Sequence, residues 1–282
     1  MQRLALLLLV TMAVVLAIVG TSGAITGGQL DGNGHPNVAM IVFYQPDGRF
    51  RCSATLVSPT VLVTAAHCTA GVRGNVIATF ASTAPTPTPR AFDDPGDGTS
   101  DTGYQAPVTG WFTGTPHAHP LWADTLQLND LHDVGVVVLD EPYTGAAPAT
   151  LPPRNYLAGL ANGNGGLNKQ TFTVVGYGVF FEKPSEGPKK PTDVSDRTRR
   201  VADAVGQNIS SQALKLAENE KDSRAGGGTC FGDSGGPVFH GGYLVADFSF
   251  VASQFCTGGG GGYYRLDTDD ARMFLENYLV VP

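Results

Sequence analysis

The sequence predicts an all-β protein that ends in one helix, and two patterns carry that prediction. Short runs of β-branched and apolar residues recur between breaks rich in glycine, proline and asparagine, which is typical of barrels and sandwiches rather than of alternating strands and helices. Near the C-terminus the apolar residues recur at helical spacing instead, so we predict a helix over residues 268–281 that docks one apolar stripe on a barrel. The strand-like runs are 38–44, 53–57, 61–65, 76–80, 134–139, 171–177, 236–239 and 243–250.

The first residues have the features of a secretory signal peptide. An apolar run, 4–20, follows a single basic residue, Arg3, and small residues stand at 22–24, as they do before a signal-peptidase cut. We therefore predict cleavage after Ala24 and export from the cell. The alternative is an uncleaved membrane anchor, because the run approaches the length of about 20 residues that spans a bilayer. After cleavage we expect no stable membrane association.

The charge pattern excludes some classes of partner. The net charge is −7, and no stretch rich in lysine and arginine is available to neutralise phosphates, which argues against a nucleic-acid partner. Two segments, 81–107 and 181–200, are rich in proline or charge and predict surface insertions. The acidic residues of the first, at 93, 94, 97 and 101, are interpreted as a solvated loop rather than as a calcium site. We predict no metal and no cofactor.

A glycine-rich segment holds the first candidate for catalysis. Residues 232–237 read GDSGGP, and glycines leave main-chain N–H groups unshielded beside the serine hydroxyl. An oxyanion forming next to Ser234 would accept hydrogen bonds from the N–H groups of Gly232 and Ser234. The segment therefore predicts a serine hydrolase with Ser234 as its nucleophile.

A serine hydroxyl is a weak nucleophile at neutral pH and needs a base within about 3 Å. His67 is the candidate base, because histidine titrates near neutral pH and this one lies in TAAHC, between small residues. Asp133 opens the apolar run VGVVVL and would orient the imidazole. Its competitors are Asp130 and Asp140, neither of which leads directly into that run.

In chain order these candidates are histidine, aspartate and serine, and with their flanking residues they resemble the trypsin/chymotrypsin family of serine endopeptidases. The resemblance runs from about residue 25 to the C-terminus. It implies two antiparallel six-stranded β-barrels with the active site in the cleft between them. We place the barrels at about 25–145 and 160–266, on either side of a connector near 142–160 that is rich in proline, alanine and glycine.

The resemblance also implies a role for Asp233. In the family, the aspartate before the nucleophile pairs with an α-amino group exposed by cleavage, and the mature chain usually begins Ile-Val-Gly-Gly. Here residues 25–28 read ITGG, and Ile25 directly follows the expected signal-peptidase site. The hypothesis is that export itself exposes the amine of Ile25, with no separate activation step. A start elsewhere, or a shortened pro-segment, is the alternative.

Four cysteines in an exported chain favour disulfides, and the count alone allows three pairings. The family resemblance implies the bridges Cys52–Cys68 and Cys230–Cys256. The first would hold the residue next to His67, and the second would hold the segment that precedes Ser234.

The resemblance places the primary specificity pocket around five residues: a floor at Gly228 and walls at Ser249, Phe250, Val251 and Gly261. Because Gly228 carries no charge and the side chain of Val251 would narrow the entrance, we expect cleavage after small or medium apolar residues rather than after arginine or lysine. The alternative is that the glycines at 258–262 relax the far wall and reopen the pocket.

These features predict a secreted serine endopeptidase that forms an acyl-enzyme with protein or peptide substrates. We expect a monomer, with protein inhibitors as further partners. Two other functions remain open, a catalytically silent binding module on the same fold and an esterase with the same triad. An α/β-hydrolase esterase is disfavoured because its histidine follows the serine, whereas His67 precedes Ser234.

Overall fold

The computed structural model describes residue 25 and residues 28–85, 89–124, 127–163, 165–182, 192–218, 222–251, 256 and 260–282. The strands in this part of the chain are β1 (Gln29–Leu30), β2 (Val38–Gln45), β3 (Gly48–Ser58), β4 (Val61–Thr64), β5 (Arg73–Thr79), β6 (Phe112–Ala118), β7 (Gly135–Leu139), β8 (Thr171–Gly176), β9 (Phe180–Glu182), β10 (Thr192–Val194), β11 (Arg200–Ile209), β12 (Ala213–Ala217), β13 (Pro237–His240), β14 (Tyr243–Val251) and β15 (Gly261–Arg265). The α-helices are α1 (Tyr156–Asn162) and α2 (Asp269–Leu275).

The first six-stranded sheet closes on itself as an antiparallel barrel. Its strand order is β2-β3-β4-β7-β6-β5, and β2 pairs with β5 to close the ring. Successive side chains of a strand point to opposite faces, so alternate residues of β2, Ala39, Ile41 and Phe43, face the same interior as Leu62 and Val137. The hydrophobic core of this barrel is thus formed by every second side chain of its strands.

The second barrel is built from the later strands. Its order is β8-β11-β12-β15-β14-β13, with pairings of β8 to both β11 and β13. All of these pairings are antiparallel. The predicted fold, an all-β protein of two six-stranded antiparallel barrels, is confirmed.

Most of the predicted runs coincide with strands, but four barrel strands were not predicted: β6, β11, β12 and β15. Their sequences are FTGTPHA, RVADAVGQNI, ALKLA and GGYYR, which contain proline, glycine, alanine or charge at positions that weaken a strand signal. Each has a hydrogen-bonded neighbour on both sides in its barrel. Pairing, which is non-local, determines the conformation of these segments.

The N-terminal residues pack on the second barrel, whereas the sequence analysis assigned residues from 25 onward to the first. Ile25 is fully buried in a core cluster with Leu157 and Phe172. Two residues of β1 pair with β11. The N-terminal segment therefore belongs to the barrel that carries Ser234.

The C-terminal helix α2 is shorter than the predicted 268–281. Thr268 caps it, since its hydroxyl accepts a hydrogen bond from the N–H of Ala271 at 3.3 Å. Phe274 lies in a cluster that joins Val134 of the first barrel segment to Leu244 of the second. Helix α2 thus covers the junction between the barrels. In the described part of the chain, no helix has both the length and the apolarity to cross a membrane.

The segment 81–107, predicted as a surface insertion, packs part of its length against the outer face of the first barrel. Tyr104 is buried and its ring contacts that of Tyr44 at 5.1 Å between centroids. The carboxylate of Asp94 accepts hydrogen bonds from the Tyr44 hydroxyl at 2.6 Å and from the Gly96 N–H at 2.8 Å. Donors of the protein itself therefore hold this acidic residue, and the segment is packed rather than fully solvated.

Candidate active site

His67 lies in a one-turn 3₁₀ helix, Ala66–Cys68, directly after β4. The turn is tied to the barrel in two ways. Cys68 forms a disulfide with Cys52 of β3, and Gln45 Nε2 donates a hydrogen bond to the carbonyl of His67 at 3.1 Å. The backbone around His67 is therefore attached to β3 through the disulfide and to β2 through Gln45.

Asp133 fixes the orientation of the His67 ring. Its Oδ2 lies 3.0 Å from His67 Nδ1, and its Oδ1 accepts the main-chain N–H of His67 at 3.0 Å. Ser249 Oγ donates a third hydrogen bond to Asp133 Oδ2 at 2.5 Å. Of the two competing aspartates, Asp130 contacts His132, and Asp140 is exposed at the end of β7. The described contacts thus join His67 to Asp133.

The carboxylate also sets the charge of the imidazole. Burial opposes ionisation of His67, but the Asp133 carboxylate outweighs burial, and Asp124 adds to it, so the pKa of His67 is raised above 6.5. Burial would raise the pKa of Asp133 in turn, yet His67 and Ser249 lower it. The pair therefore favours an anionic Asp133, which stabilises the protonated form of His67 when that form arises.

The loop that carries Ser234 packs against the strands that lead to His67. The carbonyl of Ser234 accepts a hydrogen bond from Ser53 N at 2.8 Å. Gly235 has φ +72, and a Cβ there would lie 2.6 Å from Ala65 N, so only glycine allows this approach. In the described part of the chain, no hydrogen bond joins the Ser234 hydroxyl to His67. Such bonds are often long without substrate and tighten when it binds.

The main-chain N–H groups of Gly232 and Ser234 donate to no group in the described residues. The neighbouring main-chain N–H groups do form hydrogen bonds. Asp233 N donates to the Cys230 carbonyl at 3.0 Å, and Gly235 N donates to the Phe248 carbonyl at 2.8 Å. Gly232 has φ +91, which glycine adopts readily. Two donors next to the serine are thus available to an oxyanion.

Asp233 is fully buried and is held by main-chain N–H groups rather than by a cation. Its Oδ1 accepts from Gly178 N at 2.7 Å and its Oδ2 from Cys230 N at 2.9 Å. Burial dominates these contacts and raises its pKa to about 7. Ile25, its expected partner, is buried in the second barrel, and no ion pair joins the two residues in this chain, where residue 24 still precedes Ile25.

The second bridge, Cys230–Cys256, is present as the resemblance implied, so both expected disulfides are formed. Cys230 lies two residues after Gly228, the predicted floor of the pocket. The bridge therefore holds the segment between that floor and the serine.

The side chain of Glu218 packs against Gly228, the residue expected to form an uncharged pocket floor. A side chain on Gly228 would collide with Glu218, and one on Gly261 would collide with Glu218 Oε1. Glu218 is buried, and its Oε1 accepts hydrogen bonds from Thr229 N at 3.0 Å, from Thr229 Oγ1 at 2.8 Å and from the hydroxyl of Tyr263. Burial is the largest effect on this group and raises its pKa.

The three expected wall residues differ in what they contact. Ser249 donates to Asp133. The ring of Phe250 packs on Gly262, where any Cβ would collide with it. Val251 is half-buried against the core of the second barrel. Of the five predicted pocket residues, the structure therefore brings Gly228 and Gly261 together around Glu218.

Asp247, on β14 two residues before Ser249, is buried beside the triad. Neither of its carboxylate oxygens has a hydrogen-bond partner among the described residues. Burial, followed by the charge of Asp133, raises its pKa well above 3.8. Burial without hydrogen-bond partners thus favours the protonated form of this carboxyl group.

Sequence reasoning missed Glu218, and the chain holds little signal for it. The residue lies in the run AENEKD, where closely spaced charges are typical of a solvated segment. The role of Ser249 was also missed, because its contact to Asp133 joins positions 116 residues apart. Only the pairing of β12, β14 and β15 reveals these contacts.

Comparisons with known proteins agree with this geometry. A family model described as Trypsin matches residues 25–268. No curated protein matches. A solved structure titled as an HL collagenase is 18% identical, with a TM-score of 0.59, over 92% of this chain and 97% of that one. At this identity the structural similarity shows a shared fold alone.

Proposed function

Because the chain belongs to the trypsin family, we propose that it is a serine endopeptidase that cleaves peptide bonds through Ser234, His67 and Asp133. The observation that carries this proposal is the orientation of His67. The carboxylate of Asp133 accepts hydrogen bonds from Nδ1 and from the main-chain N–H of His67. Nε2 of His67 is therefore left to face the substrate and the serine.

In the proposed reaction, Ser234 Oγ attacks the scissile carbonyl while its proton moves to His67 Nε2. Asp133 stabilises the imidazolium that results. The oxyanion accepts hydrogen bonds from Gly232 N and Ser234 N. Collapse of this intermediate breaks the C–N bond, and His67 returns the proton to the leaving amine. Water then hydrolyses the acyl-enzyme by the same steps, and the serine is regenerated.

Glu218 supports a substrate preference different from the one expected from Gly228 and Val251. Its side chain lies between Gly228 and Gly261, and we propose that these residues form the end of the specificity pocket. An ionised Glu218 would pair with arginine or lysine, whereas the protonated form would suit small apolar residues. The ionised form would therefore favour cleavage after arginine or lysine, and protonation at lower pH would weaken this preference.

We further propose that residues 1–24, which lie outside the described residues, are a signal peptide and that the domain 25–282 acts as an exported monomer on protein or peptide substrates. A new amine at Ile25 would supply the cation that Asp233 lacks. Mass-spectrometric reading of the exported N-terminus tests this. A start well away from Ile25 in fully active enzyme would remove the pair from the mechanism.

Active-site labelling tests the function itself. A fluorophosphonate should label Ser234 in the wild-type protein and should fail to label Ser234→Ala. Turnover of peptide amides should accompany labelling. No labelling of folded protein would favour the silent binding module, and turnover of simple esters without peptide amides would favour an esterase.

A further inference from the structure

A groove lined by three arginines begins beside the serine loop. Its volume is about 330 Å³. Arg49 and Arg51, two residues apart on β3, lie on one side, and Arg197 lies on the other. Phe50, which is exposed, adds apolar surface to the groove. The combination of cations and apolar surface is suited to an extended chain that carries negative charge.

Arg51 connects this groove to the proposed catalytic centre. A Cβ built on Gly232 would lie 3.1 Å from Arg51 Nε, so the guanidinium lies over the glycine of the oxyanion site. Ser53, also on β3, donates its N–H to the carbonyl of Ser234. A group bound to Arg51 would therefore be close to the scissile bond.

Positive charge dominates the groove in the described part of the chain. Burial lowers the pKa of Arg51, and the charge of Arg197 lowers it further, against the opposite effects of Asp233 and Asp196. Asp233 is fully buried behind the loop. Asp196 is engaged elsewhere, because its Oδ2 pairs with Arg200 at 2.5 Å and its Oδ1 accepts from Thr198 N at 3.0 Å.

Specific contacts hold two of the arginines in place. Arg51 Nη1 donates to Ser195 Oγ at 2.5 Å, which orients the guanidinium across the groove. Arg49 Nη1 donates to the carbonyl of Pro89 at 3.1 Å. These two guanidinium groups are thus oriented before any ligand binds.

The position of the groove indicates which part of a substrate it would contact. The residue before the scissile bond would enter the pocket at Gly228 and Glu218, on the far side of the turn from Cys230 to Ser234. Arg51, by contrast, is on β3 of the first barrel and lies over Gly232. A peptide that runs across the serine in one direction, with its preceding residue at Gly228, would carry the residues after the scissile bond toward Arg51.

We propose that this groove binds an acidic side chain, aspartate or glutamate, in the leaving segment of the substrate, one or two residues after the scissile bond. A guanidinium forms paired, charge-assisted hydrogen bonds with a carboxylate. This proposal rests on the proposed peptidase function and adds a second specificity element to it.

The test compares peptides that differ only in the second residue after the scissile bond, which is Glu, Gln or Lys. For the wild-type protein we expect kcat/KM to be about tenfold higher with Glu than with Gln, and lower still with Lys. Arg51→Gln and Arg197→Gln should each abolish most of this difference, while Arg154→Gln, an exposed arginine paired with Asp269, should keep it. Equal rates with Glu and Gln in the wild-type protein would overturn the proposal.

A binding measurement separates failure of this proposal from failure of the peptidase function. Folded Ser234→Ala should bind the uncleaved Glu peptide about tenfold more tightly than the Gln peptide at low salt, and Ser234→Ala with Arg51→Gln should bind both alike. This result would support the groove even if the wild-type protein cleaved nothing. If a sulfated oligosaccharide binds the groove and Glu binds no better than Gln, the groove is a polyanion site and the proposal is wrong. If Arg51→Gln does not fold, the Glu, Gln and Lys series with Arg197→Gln decides.

Discussion

Glu218 lies directly against Gly228, in the space that a side chain at position 228 would fill. Its carboxyl group is held there by Thr229 and by the hydroxyl of Tyr263. Glu218 follows β12, while Tyr263 is on β15, the strand paired with it. The ionisable group next to Gly228 thus comes from Glu218, a residue that lies outside the serine loop in the sequence.

Replacing this carboxyl should change specificity more than activity. Glu218→Gln should lower kcat/KM for cleavage after arginine on the order of 100-fold, because a hydrogen bond to a charged group contributes about 1.5–3 kcal/mol. Cleavage after alanine should change little. Parallel assays with both peptides measure the ratio, and Glu276→Gln, at the exposed end of α2, is the control. Unchanged cleavage after arginine would exclude Glu218 as the floor.

The same ratio should depend on pH. Burial raises the pKa of Glu218, so the carboxylate becomes protonated, and loses its charge, at a higher pH than an ordinary glutamate does. As pH falls through that raised value, the preference for arginine over alanine should fall with it. Taking the ratio of kcat/KM values removes the titration of His67, which affects both substrates alike. A ratio that stays constant down to pH 4 would contradict this assignment.

The triad variants should lose turnover without losing the fold. Ser234→Ala and His67→Ala should each lower peptide-amide turnover by several orders of magnitude, with no further loss in the double variant, because the two act as a unit. Asp133→Asn should cost roughly 10⁴-fold by favouring the wrong imidazole tautomer. Stopped assays measure turnover, and circular dichroism measures whether each variant is folded. Near-normal turnover in a folded variant would remove that residue from the mechanism.

The pH profile should report the charge on His67. The base must be neutral to accept the serine proton, and Asp133 raises the pKa of His67. The acid limb of kcat/KM should therefore lie above the ordinary value of about 6.5. In Asp133→Asn the residual activity should have its acid limb at lower pH. Undiminished turnover near pH 4 would indicate a different base.

The two disulfides should differ in their effect on specificity. Loss of either bridge should lower the free energy of unfolding by about 3 kcal/mol, on a loop-closure argument for separations of 16 and 26 residues. Serines in place of Cys230 and Cys256 should also weaken the preference for arginine over alanine, because Cys230 adjoins Thr229, which binds Glu218. Serines at Cys52 and Cys68 are the matched control. Equal specificity in both pairs would argue against a link between the bridge and the pocket.

Asp247 should make stability fall as pH rises. Its pKa is raised in the folded protein by burial and by Asp133, so the unfolded chain ionises first and gains free energy as pH rises above about 3.8. Asp247→Asn removes this ionisation, and its stability relative to the wild type should be greater at pH 8 than at pH 5. Thermal unfolding at both values, with exposed Asp140→Asn as control, measures it. A pH-independent difference would show that Asp247 is not held protonated.

The parts of the fold that were predictable have local signals. Runs of β-branched and apolar residues mark β2, β7 and β14 within a few positions of their observed bounds. Strand β11 carries glycine and exposed polar residues, and β15 begins with two glycines. Their strand conformation depends on hydrogen bonding to neighbours that are distant in the chain, which composition does not encode.

By itself, the sequence determined the fold class and the residues able to carry the chemistry, because TAAHC and GDSGGP are contiguous motifs whose meaning does not depend on distant contacts. Only the tertiary structure decided the surroundings of those residues. Glu218, Asp247 and Arg51 each look in the sequence like ordinary charged residues. In the structure Glu218 packs against Gly228, Asp247 is buried near Asp133 and Arg51 lies over Gly232. Burial of a charge depends on which strands pack around it, and packing is set by the whole barrel rather than by neighbouring residues.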